Sequence, residues 1–109
     1  MVVSGPTVIA YFATTQAESD LDPDAGEALN DFQHYLPTQR EQLARDGVRL
    51  VESYADSILV RRDGASEWIV PRISVGYLLV APGKRPRTIE GVMTDADLLA
   101  EAREYFARR

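Results

Sequence analysis

Four aspartates in the first third of the chain are spaced like the ligands of a calcium-binding loop. Asp20, Asp22 and Asp24 fit the first, third and fifth positions, and Asp31 fits the twelfth. Alternate carboxylates of this kind can converge on one hard cation. However, the sixth position is Ala25 where the turn requires glycine, and the twelfth carries aspartate where a bidentate glutamate is usual. The spacing therefore favours an acidic, solvated loop before a helix N-terminus, and no metal site is predicted.

His34 is the single histidine of the chain, and such a side chain can act as a general base near neutral pH. No serine or cysteine can be paired with it from the sequence, and it lies beside Tyr35 and near Phe32 in a helical segment. A half-exposed helix histidine is the favoured interpretation. A small non-redox enzyme or ligand binder that uses His34 or an acidic residue is the alternative function.

The chain contains no cysteine, which excludes disulfides, thiol nucleophiles and thiolate zinc sites. Gly83-Lys84 lacks the spaced preceding glycine of a phosphate-binding loop. Neither Ser4 nor Ser66 stands in the sequence context of a nucleophile elbow. No catalytic residue and no cofactor is therefore predicted.

Six basic side chains cluster in the second half of the chain: Arg61, Arg62, Arg72, Lys84, Arg85 and Arg87. With Trp68 and Tyr77 as stacking surfaces, they could bind an anion, an acidic partner or a nucleic-acid strand. The net charge of −5 opposes both nucleic acid and anionic membranes. The longest apolar run, from Val8 to Ala13, is also too short to span a bilayer. No nucleic-acid or membrane partner is predicted, and the cluster is interpreted as solvated faces and edge protection.

A chain of 109 residues is long enough for one domain, residues 1–109, with one modest core. Its N-terminus lacks the basic and long apolar regions of a signal peptide. The expected location is cytoplasmic by default, or exported if Met1 replaces a removed signal peptide.

The first half of the chain predicts a strand, a helix and the turn that follows them. Thr7–Thr14 is almost continuously apolar, which favours a strand covered on both faces. Pro37 predicts a kink or a break near Tyr35–Leu36 of a helix over Ala25–Asp46, and Gly47 predicts its left-handed end. The buried stripe of this helix comprises Leu29, Phe32, Leu36 and Leu43.

The second half predicts strands and one closing helix. Asp63-Gly64 is a strong hairpin-turn pair, and Thr94 is expected to cap a helix over Asp95–Ala107 that buries Leu98. The predicted strands are Val48–Tyr54, Ser57–Arg62, Glu67–Val70, Val75–Ala81 and Pro86–Glu90. The expected fold is α/β, in the order β-α-β, hairpin, β-β-α, with a mixed sheet and two main helices.

This order, with a first helix that contains a proline, resembles the thioredoxin-like fold family. The similarity covers most of the chain and departs at Ser57–Ile73, where the family has a helix and this sequence predicts a hairpin. The matching segments are Thr7–Gly47, the strand Val75–Val80, the turn Ala81-Pro82-Gly83, the edge strand Pro86–Glu90, Gly91 and the helix from Thr94.

The residues that give the family its redox chemistry are missing. The stretch Ala13–Glu18 after the first strand, where the family has its Cys-x-x-Cys pair, contains no sulfur. The position of the family's cis-proline falls near Val75-Gly76. Thiol–disulfide exchange requires a thiolate. The resemblance therefore implies a redox-inactive member that is not a thiol oxidoreductase.

Without redox chemistry, the resemblance implies a protein-binding or adaptor module with a protein as partner. The candidate surface is the sheet end at which redox relatives bind substrate. It comprises Thr14, Thr15, Gln16, Ala17, Val75 and Gly76. A homodimer through an exposed strand edge is a further alternative.

Overall fold

The computed structural model describes residues 2–13, 23–55, 57–71 and 75–107 of the chain. This part folds in the predicted order of strand, helix, strand, hairpin, two strands and helix. The elements are β1 (Thr7–Phe12), α1 (Pro23–Arg45), β2 (Arg49–Ser53), β3 (Ile58–Arg62), β4 (Ala65–Ile69), β5 (Val75–Val80), β6 (Arg87–Glu90) and α2 (Asp95–Ala107). The predicted α/β class with two main helices is confirmed.

A four-stranded sheet with the order β2-β1-β5-β6 forms the middle of the molecule. Thr7 of β1 lies beside Arg49 of the parallel strand β2 and beside Val80 of the antiparallel strand β5. Parallel neighbours need a crossover connection, and α1 lies between β1 and β2 in the chain. The sheet is mixed, as predicted, and its strand order is compatible with a thioredoxin-like arrangement.

Both helices pack on one face of this sheet. Alternate residues of the central strands, Val8 and Ala10 of β1 with Tyr77 and Leu79 of β5, face this layer. The helical side chains of the same core are Phe32, Leu36 and Leu43 of α1 and Leu98, Ala102 and Tyr105 of α2. The predicted burial of Phe32 and Leu98 is confirmed, and they share one side of the sheet.

The β3–β4 hairpin covers the opposite face. Ile9 and Tyr11 of β1 point towards it, whereas their neighbours in the strand point towards the helices. The second core comprises Val3, Ile9, Tyr11, Ile58, Val60, Leu78 and Val80. Because β1 and β5 are covered on both faces, their sequences are almost continuously apolar.

Helix α1 ends in a Schellman motif. Gly47 adopts a φ of 76° and donates its N–H to the Ala44 carbonyl at 3.0 Å. The Val48 N–H donates to the Leu43 carbonyl at 2.9 Å, and both side chains are buried. The predicted left-handed end of the helix is therefore confirmed.

Pro37 lies within α1, which is continuous from Pro23 to Arg45. Of the two alternatives predicted near Tyr35–Leu36, a kink or a break, the break does not occur. Pro37 is exposed on the outer side of the helix, whereas Leu36, directly before it, belongs to the buried stripe. Helix packing on either side of the proline holds the chain helical despite the missing backbone donor.

Thr94 caps the second helix, as predicted, by accepting a hydrogen bond from the Asp97 N–H at 3.3 Å. Within the described residues, neither helix combines the length and the apolar character that crossing a membrane would require.

Candidate functional site

Two residues of the predicted binding surface lie at the start of β5. Gly76 is buried opposite Tyr11, and Val75 lies opposite Phe12 and packs partly buried against the core on the helix side. The other four residues of that surface are outside the described part of the chain: Thr14, Thr15, Gln16 and Ala17. Binding at this end of the sheet stays a prediction.

Asp31 is the member of the aspartate series whose side chain the structure describes, and it is exposed on α1. Asp20, Asp22 and the side chain of Asp24 lie outside the described residues. In the described ranges, no group of three or more potential metal-binding side chains comes together.

His34 is exposed on the surface of α1. Its ring meets the Tyr35 ring edge-on, with 5.5 Å between the centroids. Asn30, Asp31 and Gln33 line a shallow depression beside it. A helix-surface histidine with polar helical neighbours agrees with the interpretation favoured from the sequence.

A short chain of polar contacts joins α1 to the end of β2. Gln33 donates to the Tyr54 hydroxyl at 3.2 Å, and that hydroxyl donates to Glu52 at 2.8 Å. Arg40 pairs with the same carboxylate at 3.2 Å. Burial raises the pKa of Tyr54 above its ordinary value of 10.0, and the charge of Glu52 raises this pKa further. The phenol is therefore protonated at neutral pH, and the contacts connect the helix to the strand.

Arg62 is a structural clamp between the hairpin and the turn that joins β5 to β6. Only 14% of its side chain is exposed. The guanidinium donates to the carbonyls of Ala81, at 3.0 Å, and Lys84, and it pairs with Glu67 at 2.8 Å. With these contacts made, Arg62 is occupied within the fold.

Other members of the basic cluster are also engaged within the protein. The Lys84 ammonium lies 4.6 Å from the centroid of the Tyr105 ring and donates to the Tyr105 carbonyl. Arg87 pairs with Glu101 at 3.1 Å and lies 3.9 Å from Glu104. The remaining members are Arg61 and Arg85, which are exposed, and Arg72, which is outside the described residues.

Tyr77 cannot serve as the stacking surface proposed from the sequence, because its side chain is fully buried. Its hydroxyl donates to Gln39 at 3.3 Å and accepts from the Met93 N–H at 3.4 Å. Its ring lies 5.5 Å from the Phe32 ring. The prediction that Tyr77 offers a stacking surface is therefore wrong. Because β5 is apolar on both faces, its sequence does not show which of its side chains meet the helices.

The large apolar side chains that the described residues expose belong to the hairpin, to Val70 directly after it and to Val2, which bridges to Arg61 of β3. The exposed fractions are 68% for Trp68, 62% for Val2, 57% for Val70 and 40% for Leu59. Leu59 and Trp68 are direct cross-strand partners. Together with the exposed residues Arg61 and Ser66, which are also paired across the hairpin, these four form what we call the outer hairpin face.

The outer hairpin face is held rigidly from beneath. Asp63 and Gly64 have φ values of 54° and 77°, as a type I′ turn requires. The Asp63 carboxylate accepts a hydrogen bond from the Gly83 N–H at 2.9 Å. On the other side of β3, the Val3 N–H donates to the Arg61 carbonyl at 2.8 Å. The face is therefore preorganised for contact, with little ordering cost on binding.

The alternation of the hairpin sequence predicts two faces, and the burial of Ile58 and Val60 shows which of them points outward. Ile58 and Val60 point into the core, so the residue between them, Leu59, points outward, and its partner Trp68 does the same. From the sequence, Trp68 is expected only to offer a stacking surface for nucleic acid, and the predicted binding surface is the set that includes Val75 and Gly76.

Comparison with known proteins finds no match to a family model, to a curated protein or to a solved structure.

Proposed function

We propose that this protein is a redox-inactive thioredoxin-like module that binds a protein partner on its outer hairpin face. The observation that carries the proposal is the exposure of Trp68 at 68%, opposite its cross-strand partner Leu59 and on a face that also includes Val70 and Val2. Single exposed apolar residues are ordinary, but four on one rigid face are typical of an interaction site.

The chemistry of the face fits a protein better than a small molecule or a nucleic acid. Tryptophan and arginine are enriched in protein interfaces and often provide much of the binding free energy. Trp68 and Arg61 both belong to this open face. A small molecule would favour a concave pocket that buries it, whereas the side chains of Trp68, Val2 and Val70 are each more than half exposed.

The thioredoxin-like part of the proposal is supported by the strand order β2-β1-β5-β6 with both helices on one face. The hairpin occupies the layer in which the family has a helix. The absence of cysteine agrees with a binding role instead of thiol exchange. The hairpin would then be this module's own addition to the fold and its means of recognition.

A photo-crosslinker tests this function directly. Benzoylphenylalanine in place of Trp68 is expected to give a discrete adduct in extract of the source organism. Excess unlabelled wild-type protein should suppress the adduct, and excess Trp68→Ser protein should not. The matched control carries the same group in place of Thr38, an exposed residue of α1. Identical adducts from both positions, or equal competition by Trp68→Ser, would refute binding at the outer hairpin face.

A further inference from the structure

Strand β4 has one open edge. Among the described residues, its only strand partner is β3. The two-residue turn after Arg62 makes Arg62 and Ala65 a hydrogen-bonded pair. Along the antiparallel hairpin, such pairs alternate with a second set of pairs that do not bond to each other. Ser66 and Trp68 belong to the other set, and their backbone N–H and C=O groups point away from β3. The Arg61 carbonyl confirms this phase, because it faces away from β4 and accepts from the Val3 N–H.

This edge lacks the usual protection against pairing. Exposed edges are commonly blunted by lysine, proline or charged side chains. The sequence of β4, ASEWI, contains no lysine, arginine or proline. Its one charged residue, Glu67, pairs with Arg62 at 2.8 Å, on the inward side of the hairpin. By contrast, the edge strand β6 carries the exposed residue Glu90. With respect to the described residues, the edge of β4 is therefore open to another strand.

The charge beside this edge indicates what kind of strand fits. Arg61 is exposed on the outer hairpin face directly opposite Ser66, and no described carboxylate lies within ion-pair distance of it. A strand added to β4 would run about 10 Å from β3, twice the usual strand spacing. Ser66 lies between Arg61 and the added strand, and its side chain is small. The long side chain of Arg61 can therefore reach across Ser66 to a glutamate on the added strand.

A second copy of the chain does not supply that carboxylate. The outward residues of a partner β4 would be Ser66, Trp68 and Val70, whereas Glu67 faces inward. Charge complementarity therefore favours a segment of a different protein.

We propose that β4 binds an extended, acidic segment of a partner protein by strand addition, a mode that rests on the proposed function of the outer hairpin face. The backbone of the segment bonds to Ser66 and Trp68. An acidic side chain opposite Ser66 pairs with Arg61, and an apolar side chain two residues away packs beside Trp68.

Selection from a display library of random twelve-residue segments tests this mode. The expected segments carry an acidic residue two positions from a β-branched or aromatic one. N-methylation of the two segment residues that bond to β4 should weaken binding by at least about tenfold, because each loses a backbone hydrogen bond. N-methylation of the intervening residues should not. These measurements leave the protein unchanged.

Protein variants complete the test. Ser66→Pro removes an edge donor without breaking the β3–β4 ladder and should weaken binding at least about tenfold. Thr88→Pro is the matched control on β6, where the Gly91 N–H bond to the Val75 carbonyl places the Thr88 N–H outward. The Arg61→Glu variant should no longer bind the acidic segments, and it should bind versions of them in which lysine replaces the acidic residue.

Three results would overturn strand addition: no enriched segments, full affinity after methylation of the edge-bonding residues, or enrichment without acidic residues. A dimer that Ser66→Pro dissociates would assign the edge to a second copy instead. If Trp68→Ser abolishes binding while Ser66→Pro and methylation do not, the outer hairpin face still binds the partner and only strand addition fails. If neither Trp68→Ser nor the crosslinker at that position has an effect, the proposed function itself fails.

Discussion

Phe32 and Trp68 are both aromatic, but the first is a core residue and the second is a surface residue. Phe32 is fully buried between α1 and the sheet, whereas Trp68 is 68% exposed. Full burial of such a side chain stabilises a fold by about 1.5–3 kcal/mol relative to exposure. An exposed tryptophan contributes little of this free energy to folding, so its position is better explained by contact with another molecule.

We expect the two residues to respond differently to truncation. Trp68→Ser should lower the free energy of unfolding by less than about 1 kcal/mol, the upper range for one cross-strand pair. Phe32→Ala should lower it by about 3–5 kcal/mol, because it leaves a cavity in the core. Urea denaturation of both variants measures the difference. Equal losses would mean that Trp68 belongs to the core and that the outer hairpin face is not a free surface.

The pair formed by Arg103 and Asp46 predicts a specific response to pH. The two side chains meet at 2.8 Å, and this hydrogen bond holds the pKa of Asp46 below its ordinary value of 3.8. A lowered pKa in the folded state means that the pair stabilises the fold fully above that ordinary value. This contribution is lost as the pH falls through the lowered pKa.

Arg103→Gln should therefore return the Asp46 pKa towards its ordinary value, as measured by NMR titration of the side-chain carboxyl. The carboxyl of Glu67, whose partner Arg62 is untouched, serves as the internal control. An Asp46 titration that does not move in Arg103→Gln would show that the pair does not form in solution.

At the scale of the elements, the sequence predicted best where local residues determine the backbone. The Asp63-Gly64 turn and the end of α1 at Gly47 both follow from positive φ angles that these residues tolerate. Pro37 shows the limit, because packing on the sheet overrides the local preference for a break. The choice of face for Tyr77 is likewise a tertiary property, since both faces of β5 are apolar.

The predicted binding surface depends on the resemblance and not on local sequence. Val75 and Gly76 belong to it by analogy with redox relatives, the structure places both within a paired strand, and binding there stays a prediction. The outer hairpin face depends on which side of the hairpin meets the sheet. That side follows from the burial of Ile58 and Val60, which becomes certain only once a second core is seen beneath them.

The helix end at Gly47 gives a test at this scale. A Cβ added there would meet no atom within 4 Å, so only the backbone conformation opposes a side chain. Gly47→Ala should lower the free energy of unfolding by about 1–2 kcal/mol, the cost of a left-handed non-glycine residue. Thermal denaturation monitored by circular dichroism measures this loss.

Gly5 is the matched control, because a Cβ there also meets no atom within 4 Å and its φ lies outside the left-handed region. Gly5→Ala should be neutral or stabilising by up to about 1 kcal/mol. If Gly47→Ala is as stable as Gly5→Ala, the Schellman motif does not set the end of α1.

The described part of the molecule consists of three layers, the helices, the sheet and the hairpin. The two cores between these layers share the central strands β1 and β5. Alternate residues of β1, such as Val8 and Ile9, belong to the helix-side core and the hairpin-side core respectively. Strand β5 contributes Leu79 and Leu78 in the same way. Loss of either outer layer would expose one face of these central strands to water. The hairpin that presents Trp68 should therefore be as stable as the helices, and not a loosely attached arm.

This coupling predicts a single unfolding transition. Methyl NMR signals of Val60, beneath the hairpin, and of Leu98, beneath the helices, should lose native intensity at the same urea concentration. Val60→Ala and Phe32→Ala, placed in opposite cores, should each lower that midpoint for both signals. If the Val60 signal disappeared at a clearly lower urea concentration than the Leu98 signal, the hairpin would unfold by itself. The outer hairpin face would then not be the rigid, preorganised surface on which the proposed strand addition depends.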